Sequence, residues 1–403
     1  MGLNGSNLQT IKQVNRGMVL RLILLDIQTN RSDISRALGL TKTTITNIVA
    51  ELIQDGIVQE IQDPRASGNA LGRKSIGLDL SDQSPLIFGV TLQRQKIMAV
   101  LSDLKGNASR ILRHSYEGII TVEKLCGVIR GMYAELSAST QRKIFAVGVS
   151  SAGPVDVQKG LILKPQRFYE ENQDFAVVDF LKELTGVPVF LAHDVSAAVV
   201  AEKLYGNARK EENFMYVSTI NGLGVGFFLK SRLFDGESGQ SGELGHISID
   251  YRGEPCECGR RGCVERYIDF SFLRERVKQY EHLFPGHPIF VKKDLTFFDV
   301  VLLAEDGDML ASIFLDEYCQ YLSSALSMLV LSLGVHHIYI SNIPEAKNRV
   351  LENILERKLN EASYISRYHH ISVDTSGFGL EASLYGAMAI IMDKVFAGKL
   401  YFS

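Results

Sequence analysis

The segment Gly242-Glu243-Leu244-Gly245-His246, continued by Cys256-Glu257-Cys258-Gly259-Arg260-Arg261-Gly262-Cys263-Val264-Glu265, gathers three of the five cysteines into eight residues, ten positions after a histidine. A borderline-soft cation such as Zn²⁺ takes four thiolate or imidazole ligands in a tetrahedron, and three cysteines with one histidine form a recognised structural set. Gly259 and Gly262 supply the backbone freedom that turns Cys263 back towards Cys256 and Cys258. Isolated cysteines are commonly small core hydrophobes. Here the neighbours are Glu254, Glu257, Arg260 and Arg261, which do not compose a core strand. The expected ligands are therefore His246, Cys256, Cys258 and Cys263, holding one structural zinc per chain. Cys126 and Cys319, in apolar helix-like surroundings, are expected as buried reduced thiols.

A second group of chemistry-bearing residues lies near the N-terminus. Lys42, Thr43, Thr44, Thr46 and Asn47 are short polar groups and one cation on a helix whose apolar positions are Ile45, Ile48, Val49 and Leu52. Such a face can enter a major groove and meet base edges and phosphates. The elements around it read as a winged helix-turn-helix over residues 1–80. Val14, Met18, Leu20, Leu22, Ile23 and Leu25 make an amphipathic helix. Asp33 reads as the N-cap of a short helix, Ile34 to Leu38, which Gly39 ends in a left-handed turn. Thr41 caps the third helix. Val58–Ile61 and Ser75–Leu80 read as a hairpin whose loop offers Arg73 and Lys74 to a phosphate or minor groove. Residues 1–50 carry six Lys/Arg against two Asp/Glu, whereas the whole chain has a formal charge of −3. The basic excess is thus confined to the end where a DNA surface needs it, and a uniformly basic coat is excluded.

Beyond about Pro85 the chain alternates strands and helices. Strands are expected at Leu86–Thr91, Ile97–Ser102, Ile144–Ser150, Val187–Leu191, Phe214–Ile220, Gly224–Leu229 and His337–Ile340. Helices are expected at Val122–Ser137, Asp194–Tyr205, Leu310–Leu333 and Gly379–Phe396. The fold class is therefore α/β, in two mixed lobes: residues 81–195 with part of 375–403 returning, and residues 196–374 carrying the loop 243–265. No uninterrupted run approaches the ~20 apolar residues of a membrane span, and the N-terminal stretch is polar, so a cytoplasmic protein is expected.

Three further motifs complete a family pattern: Ser151-Ala152-Gly153-Pro154-Val155-Asp156 after a strand, His193-Asp194-Val195-Ser196-Ala197-Ala198 opening a helix, and Asn221-Gly222-Leu223-Gly224-Val225-Gly226 between strands. With the histidine–cysteine segment, these resemble the ROK family of repressors and sugar kinases, specifically its repressor branch, over nearly the whole chain. The resemblance implies a winged helix-turn-helix ahead of a two-lobed actin-like sugar-kinase fold, with a structural zinc on His246, Cys256, Cys258 and Cys263. It also implies a sugar held between the lobes. Asp194, Glu243 and Glu265 would accept hydrogen bonds from sugar hydroxyls, His246 would bridge zinc and sugar, and His193 and Gly153 would adjoin. A plain cap before Val195–Tyr205 is the competing reading of Asp194.

Phosphoryl transfer needs backbone donors preorganised around nucleotide phosphates. Where family kinases place Asp-x-Gly-Gly-Thr after the first strand, this chain has Gly89-Val90-Thr91-Leu92-Gln93-Arg94; where they place a Gly-Gly-Gly loop after a late strand, it has Ile340-Ser341-Asn342-Ile343-Pro344. Only the Asn221–Gly226 turn survives, so no kinase activity is expected. The sugar loop of many members is replaced by Pro165-Gln166-Arg167-Phe168-Tyr169-Glu170, in a chain with no Trp. The expected function is a repressor of carbohydrate genes, a homodimer or tetramer on operator DNA, released by a sugar or sugar phosphate. The rivals are a kinase with a fused DNA-binding head and a repressor sequestered by a regulatory protein partner.

Overall fold

The computed structural model of the chain describes residues 8–25, 30–62, 76–163, 173–220, 222–236, 241–343, 345–362, 364 and 367–402. Arg73 and Lys74 of the expected wing, the Pro165–Glu170 segment and Asn221 lie outside these residues. The chain forms two compact units, Met1–Tyr205 with Ser383–Ser403, and Gly206–Ala382.

The first unit opens with three helices, α1 (Leu8–Leu24), α2 (Arg31–Leu38) and α3 (Lys42–Gln54), then strands β1 (Val58–Gln62) and β2 (Ile76–Leu80). The strands pair antiparallel, Val58 opposite Leu80 and Gln62 opposite Ile76. Helix boundaries follow local chemistry. Gly39 ends α2 at φ 65°, and the Thr41 side chain accepts from Thr44 N–H to start α3. One expectation is corrected: the N-cap of α2 is Asn30, whose side chain accepts from Asp33 N–H. Asp33 instead sits in the first turn, where its charge favours the helix N-terminus.

The body of this unit is β3 (Leu86–Gln93), β4 (Lys96–Ser102), β5 (Leu112–Ser115), α4 (Val122–Ala138), β6 (Ile144–Ser151), the short pair β7 (Val155–Asp156) and β8 (Leu161–Ile162), α5 (Val177–Thr185), β9 (Val189–His193) and α6 (Asp194–Leu204). Its sheet has the order β5-β4-β3-β6-β9. β3, β4 and β5 run as an antiparallel meander, and β6 and β9 are added parallel. β3 is buried at every position, as a central strand covered on both faces must be.

The second unit repeats this plan. Its elements are β10 (Phe214–Ser218), β11 (Gly224–Leu229), β12 (Arg232–Phe234), α7 (Val264–Tyr267), α8 (Phe270–Val277), α9 (Pro288–Val291), α10 (Phe297–Glu305), α11 (Met309–Leu333), β13 (His337–Ile340), α12 (Val350–Ala362) and β14 (Ser372–Thr375). The sheet order is β12-β11-β10-β13-β14, again a meander with two parallel additions. Its core joins Met215, Val217 and Ile338 of the sheet to Phe314, Leu322 and Leu326 along α11.

The last helix, α13 (Ala382–Phe396), returns to the first unit. The sequence boundary at residue 195 assigned α6 to the second lobe, whereas the structure keeps it in the first. Small residues bring the helices there together: α13 passes so close that Gly386 abuts the backbone of Ala197 on α6.

Candidate functional site

The cysteine segment folds as a compact knuckle. Leu244–His246 form a single 3₁₀ turn, and Cys263 immediately precedes α7. Between them the backbone doubles back through Cys256 N–H to Arg260 O (2.8 Å), Gly262 N–H to Glu254 O (2.8 Å) and Ile249 N–H to Gly262 O (2.8 Å). Gly262 is required twice over: its φ is 70°, and a Cβ there would lie 1.6 Å from the Asp250 carbonyl oxygen.

This folding brings the four expected ligands together. One donor atom from each of His246, Cys256, Cys258 and Cys263 lies within 4.8 Å of all the others. The Cys256 Sγ–His246 Nδ1 distance is 3.7 Å and Cys258 Sγ–Cys263 Sγ is 3.6 Å. A tetrahedral ion with bonds of about 2.3 Å to sulfur and 2.0 Å to nitrogen sets donors roughly 3.5–3.8 Å apart, so the spacing fits such an ion. The thiols are also unequal. The Arg260 backbone N–H, ahead of its neighbours, holds exposed Cys258 below the ordinary thiol value. Burial, then Cys258 and Cys256, push Cys263 up to about 12. Three thiolates packed this closely repel one another, and a divalent cation is the partner that lets all three ionise.

Glu265 lies on the flank of this cluster, with Oε2 3.9 Å from His246 Nδ1. Glu243 is exposed one residue before the 3₁₀ turn. Glu243, His246 and Glu265 therefore share one region of the second unit. In the first unit, parallel strands β6 and β9 pair Ser151 with His193. Gly153 follows the end of β6, and His193 and Asp194 stand at the end of β9. The carboxyl ends of adjacent parallel strands are where α/β sheets commonly receive ligands. Asp194 is the first residue of α6 rather than its cap, and His193 takes the cap position without a side-chain capping bond to the helix. Asp194 is buried, and its Oδ1 accepts from Val195 N–H at 2.8 Å.

The two segments that depart from the kinase pattern are internally bonded. After β3 the chain turns straight into β4, Gln93 pairing with Lys96 across Arg94-Gln95. The Gln93 side chain donates to Ser383 Oγ (3.0 Å), and Ser150 Oγ donates to Thr91 Oγ1 (2.7 Å). After β13, Ser341 Oγ accepts from Thr219 N–H (3.0 Å) and the Asn342 amide donates to Glu352 (2.9 Å). Ser341, Asn342 and Glu352 are fully buried. None of these partnerships was legible beforehand, because the pairs are separated by 290, 59, 122 and 10 residues.

On α3, Ile45, Ile48, Val49 and Leu52 are buried, while Lys42, Thr43, Thr46 and Asn47 are exposed and Thr44 is half-buried. Sequence reading missed what holds this helix. Lys12 bonds Glu51 (2.7 Å), and Arg16 bonds both Glu51 (2.9 Å) and Asp55 (2.7 Å). The only advance signal was cations on one helix and acids on another, which does not fix a pairing. No helix among the described residues is long and apolar enough to cross a membrane.

Comparison with known proteins bears on the whole chain. The ROK family profile matches residues 87–394. The chain is 25% identical over 386 residues to a xylose repressor of Bacillus spizizenii, covering 95% of this chain and 96% of that protein. It is 26% identical over 404 residues to the DNA-binding transcriptional repressor Mlc of Escherichia coli K12, covering 98% and 96%. A crystal structure of a ROK family transcriptional regulator, a homologue of E. coli Mlc, superposes with a TM-score of 0.80 at 27% identity, covering 97% and 98%. A ROK glucokinase from Streptomyces griseus, solved with glucose and AMPPNP, shares the fold at 21% identity and TM-score 0.65, over 76% of this chain and 98% of its own.

Proposed function

The chain belongs to the ROK family, and from that premise we propose that it is a sugar-responsive transcriptional repressor of carbohydrate uptake or catabolism genes. One observation carries the reading. The regulators align with 95–98% of the chain, N-terminal helices included, whereas the glucokinase aligns with 76% of it. Those N-terminal elements are three helices and a hairpin with an exposed polar face on α3, the arrangement of a winged helix-turn-helix. Lys42, Thr43, Thr44, Thr46 and Asn47 are its proposed DNA contacts, with Arg73 and Lys74 from the sequence between β1 and β2. One such module buries too little DNA for high specificity, so two half-sites and a homodimer or tetramer are proposed. With a DNA partner, a cytoplasmic location is proposed.

The effector is a sugar or sugar phosphate. Its proposed hydroxyl acceptors are Asp194, beside His193 and Gly153, and Glu243 and Glu265, with His246 beside them. It must bind two arrangements of the protein unequally, since equal affinity shifts nothing. Zinc is the proposed ion on His246, Cys256, Cys258 and Cys263. When bound it would tie the Leu244–His246 turn to the start of α7 and so fix where Glu243 and Glu265 stand. Catalysis is not proposed. A family kinase would need open backbone at the positions where Gln93, Ser341 and Asn342 now bond to their neighbours.

The test is fluorescence anisotropy with duplexes from upstream of its own locus, repeated across a panel of sugars and sugar phosphates. Binding at moderate salt that one sugar reverses is the expected result, and failure to bind any such duplex sinks the reading. A coupled ADP-release assay on common hexoses tests the kinase alternative, where turnover abolished by Asp194→Asn would overturn the non-catalytic assignment. A complex that ignores all sugars and dissolves in cell extract would favour control by a protein partner.

A further inference from the structure

We infer that Asn47 is the base-reading residue of α3 and that each operator half-site carries an A·T pair opposite it. This rests on the DNA-binding reading above and adds which side chain confers sequence preference, and for which base. The polar groups of α3 are not equally available. Thr44 Oγ1 is bonded to Thr41 Oγ1 (2.8 Å), and the pair completes the helix cap. Thr46 Oγ1 donates to the carbonyl of Lys42 (2.8 Å), which commits its hydrogen to the helix itself. Glu51 and Asp55, further along, are held by Lys12 and Arg16. That leaves Lys42, Thr43, Asn47 and Gln54, whose side chains make no hydrogen bond among the described residues.

Position and chemistry then separate these four. Thr43, Asn47 and Ala50 lie at i, i+4 and i+7, one stripe of the helix opposite buried Ile45, Ile48, Val49 and Leu52. All three are exposed. The N-terminal half of a recognition helix is the part that meets base edges, and α3 has no acidic residue in its first turn to repel phosphates. Lys42 offers a single charged donor, suited to a phosphate oxygen. Thr43 has one hydroxyl, which discriminates weakly. Gln54 has the same amide but stands at the last position of α3, so in the N-terminal half Asn47 alone carries a donor and an acceptor side by side, the pair that matches N6 and N7 of adenine in the major groove.

The experiment is selection from a duplex library with a randomised core, using the full-length protein and its Asn47→Ala, Asn47→Asp and Gln54→Ala variants. Asn47 is exposed, so these variants keep the fold, which circular dichroism checks. Wild-type protein should enrich sites with one A·T pair fixed per half-site. Replacing that adenine by 7-deazaadenine, which lacks N7, should weaken wild-type binding and leave Asn47→Ala unaffected. Asn47→Ala should lose about tenfold to a hundredfold discrimination at that position alone. Asn47→Asp should move the preference towards cytosine, whose N4 amine a carboxylate accepts. Gln54→Ala, which removes the other free amide of α3, should select the wild-type site. An unchanged preference in Asn47→Ala overturns the assignment while leaving DNA binding intact. If the wild-type protein enriches no sequence, the DNA-binding reading falls first, and this inference with it.

Discussion

Gly17 of the first helix lies directly against Phe396 at the end of the last. A Cβ at Gly17 would sit 2.5 Å from the carbonyl oxygens of both Val395 and Phe396. The first and last helices thus meet at one point, and the proposed DNA-binding helices are fastened there to the α/β body of their unit. The same region ties Gly398 to the backbone of Val14.

Gly17→Ala should therefore be destabilising although alanine favours helix. The added methyl meets backbone that cannot rotate away, an overpacking that costs about 1–3 kcal/mol. Gly127 in α4 is the control, since a Cβ there has nothing within 4 Å. Gly127→Ala should stabilise by roughly 0.5–1 kcal/mol through helix propensity and reduced unfolded-state entropy. Opposite shifts in denaturant midpoint are the expected result. A Gly17→Ala protein as stable as wild type would remove the contact.

Cys258→Ser should lower bound metal and folding stability together. With one ligand gone the remaining donors hold the ion weakly, and the linked loss is on the order of several kcal/mol. A chelator should bring wild-type protein down to the same melting temperature. One equivalent of zinc persisting in the variant, measured by atomic emission, would contradict the ligand assignment.

The acid sensitivity of the N-terminal helices should depend on Glu51. A hydrogen bond from Lys12, reinforced by that cation's charge and by Arg16, holds the Glu51 carboxyl below its usual value. A depressed carboxyl stabilises fully above its unfolded pKa of about 4.3, and the contribution disappears as pH falls through the lower folded value. Wild type should exceed Glu51→Gln in stability at pH 7 by no more than about 1 kcal/mol, because the pair is substantially exposed. The gap should close below about pH 4. Urea melts across this range would show it, and a gap that widened in acid would refute the pairing.

A sugar that acts as effector should stabilise wild-type protein by about 2.7 kcal/mol at one hundred times its dissociation constant and so raise its melting temperature. Asp194→Asn and Glu265→Gln should each abolish the shift for the same sugar without moving the unliganded melting temperature far. Retention of the full shift in both variants would remove these carboxylates from the effector site.

Much of this was legible in local sequence, for a physical reason. Capping by Thr41 and the left-handed turn at Gly39 depend on groups within four or five residues, so a short window contains both partners. The cluster of His246, Cys256, Cys258 and Cys263 spans only eighteen positions, and Gly259 and Gly262 announced its turns, with φ of 86° and 70°. The cap of α2 was misplaced from Asn30 to Asp33 because either side chain can serve and only backbone geometry chooses. What the sequence determined by itself was the family pattern, the gathering of one histidine and three cysteines, and the polar face of α3. Tertiary structure alone decided that Gly17 would meet Phe396, that Gln93 would bond Ser383, and that both sheets would share one strand order. Those partners lie hundreds of residues apart, and no periodicity specifies which surfaces will exclude water against each other until the whole chain packs.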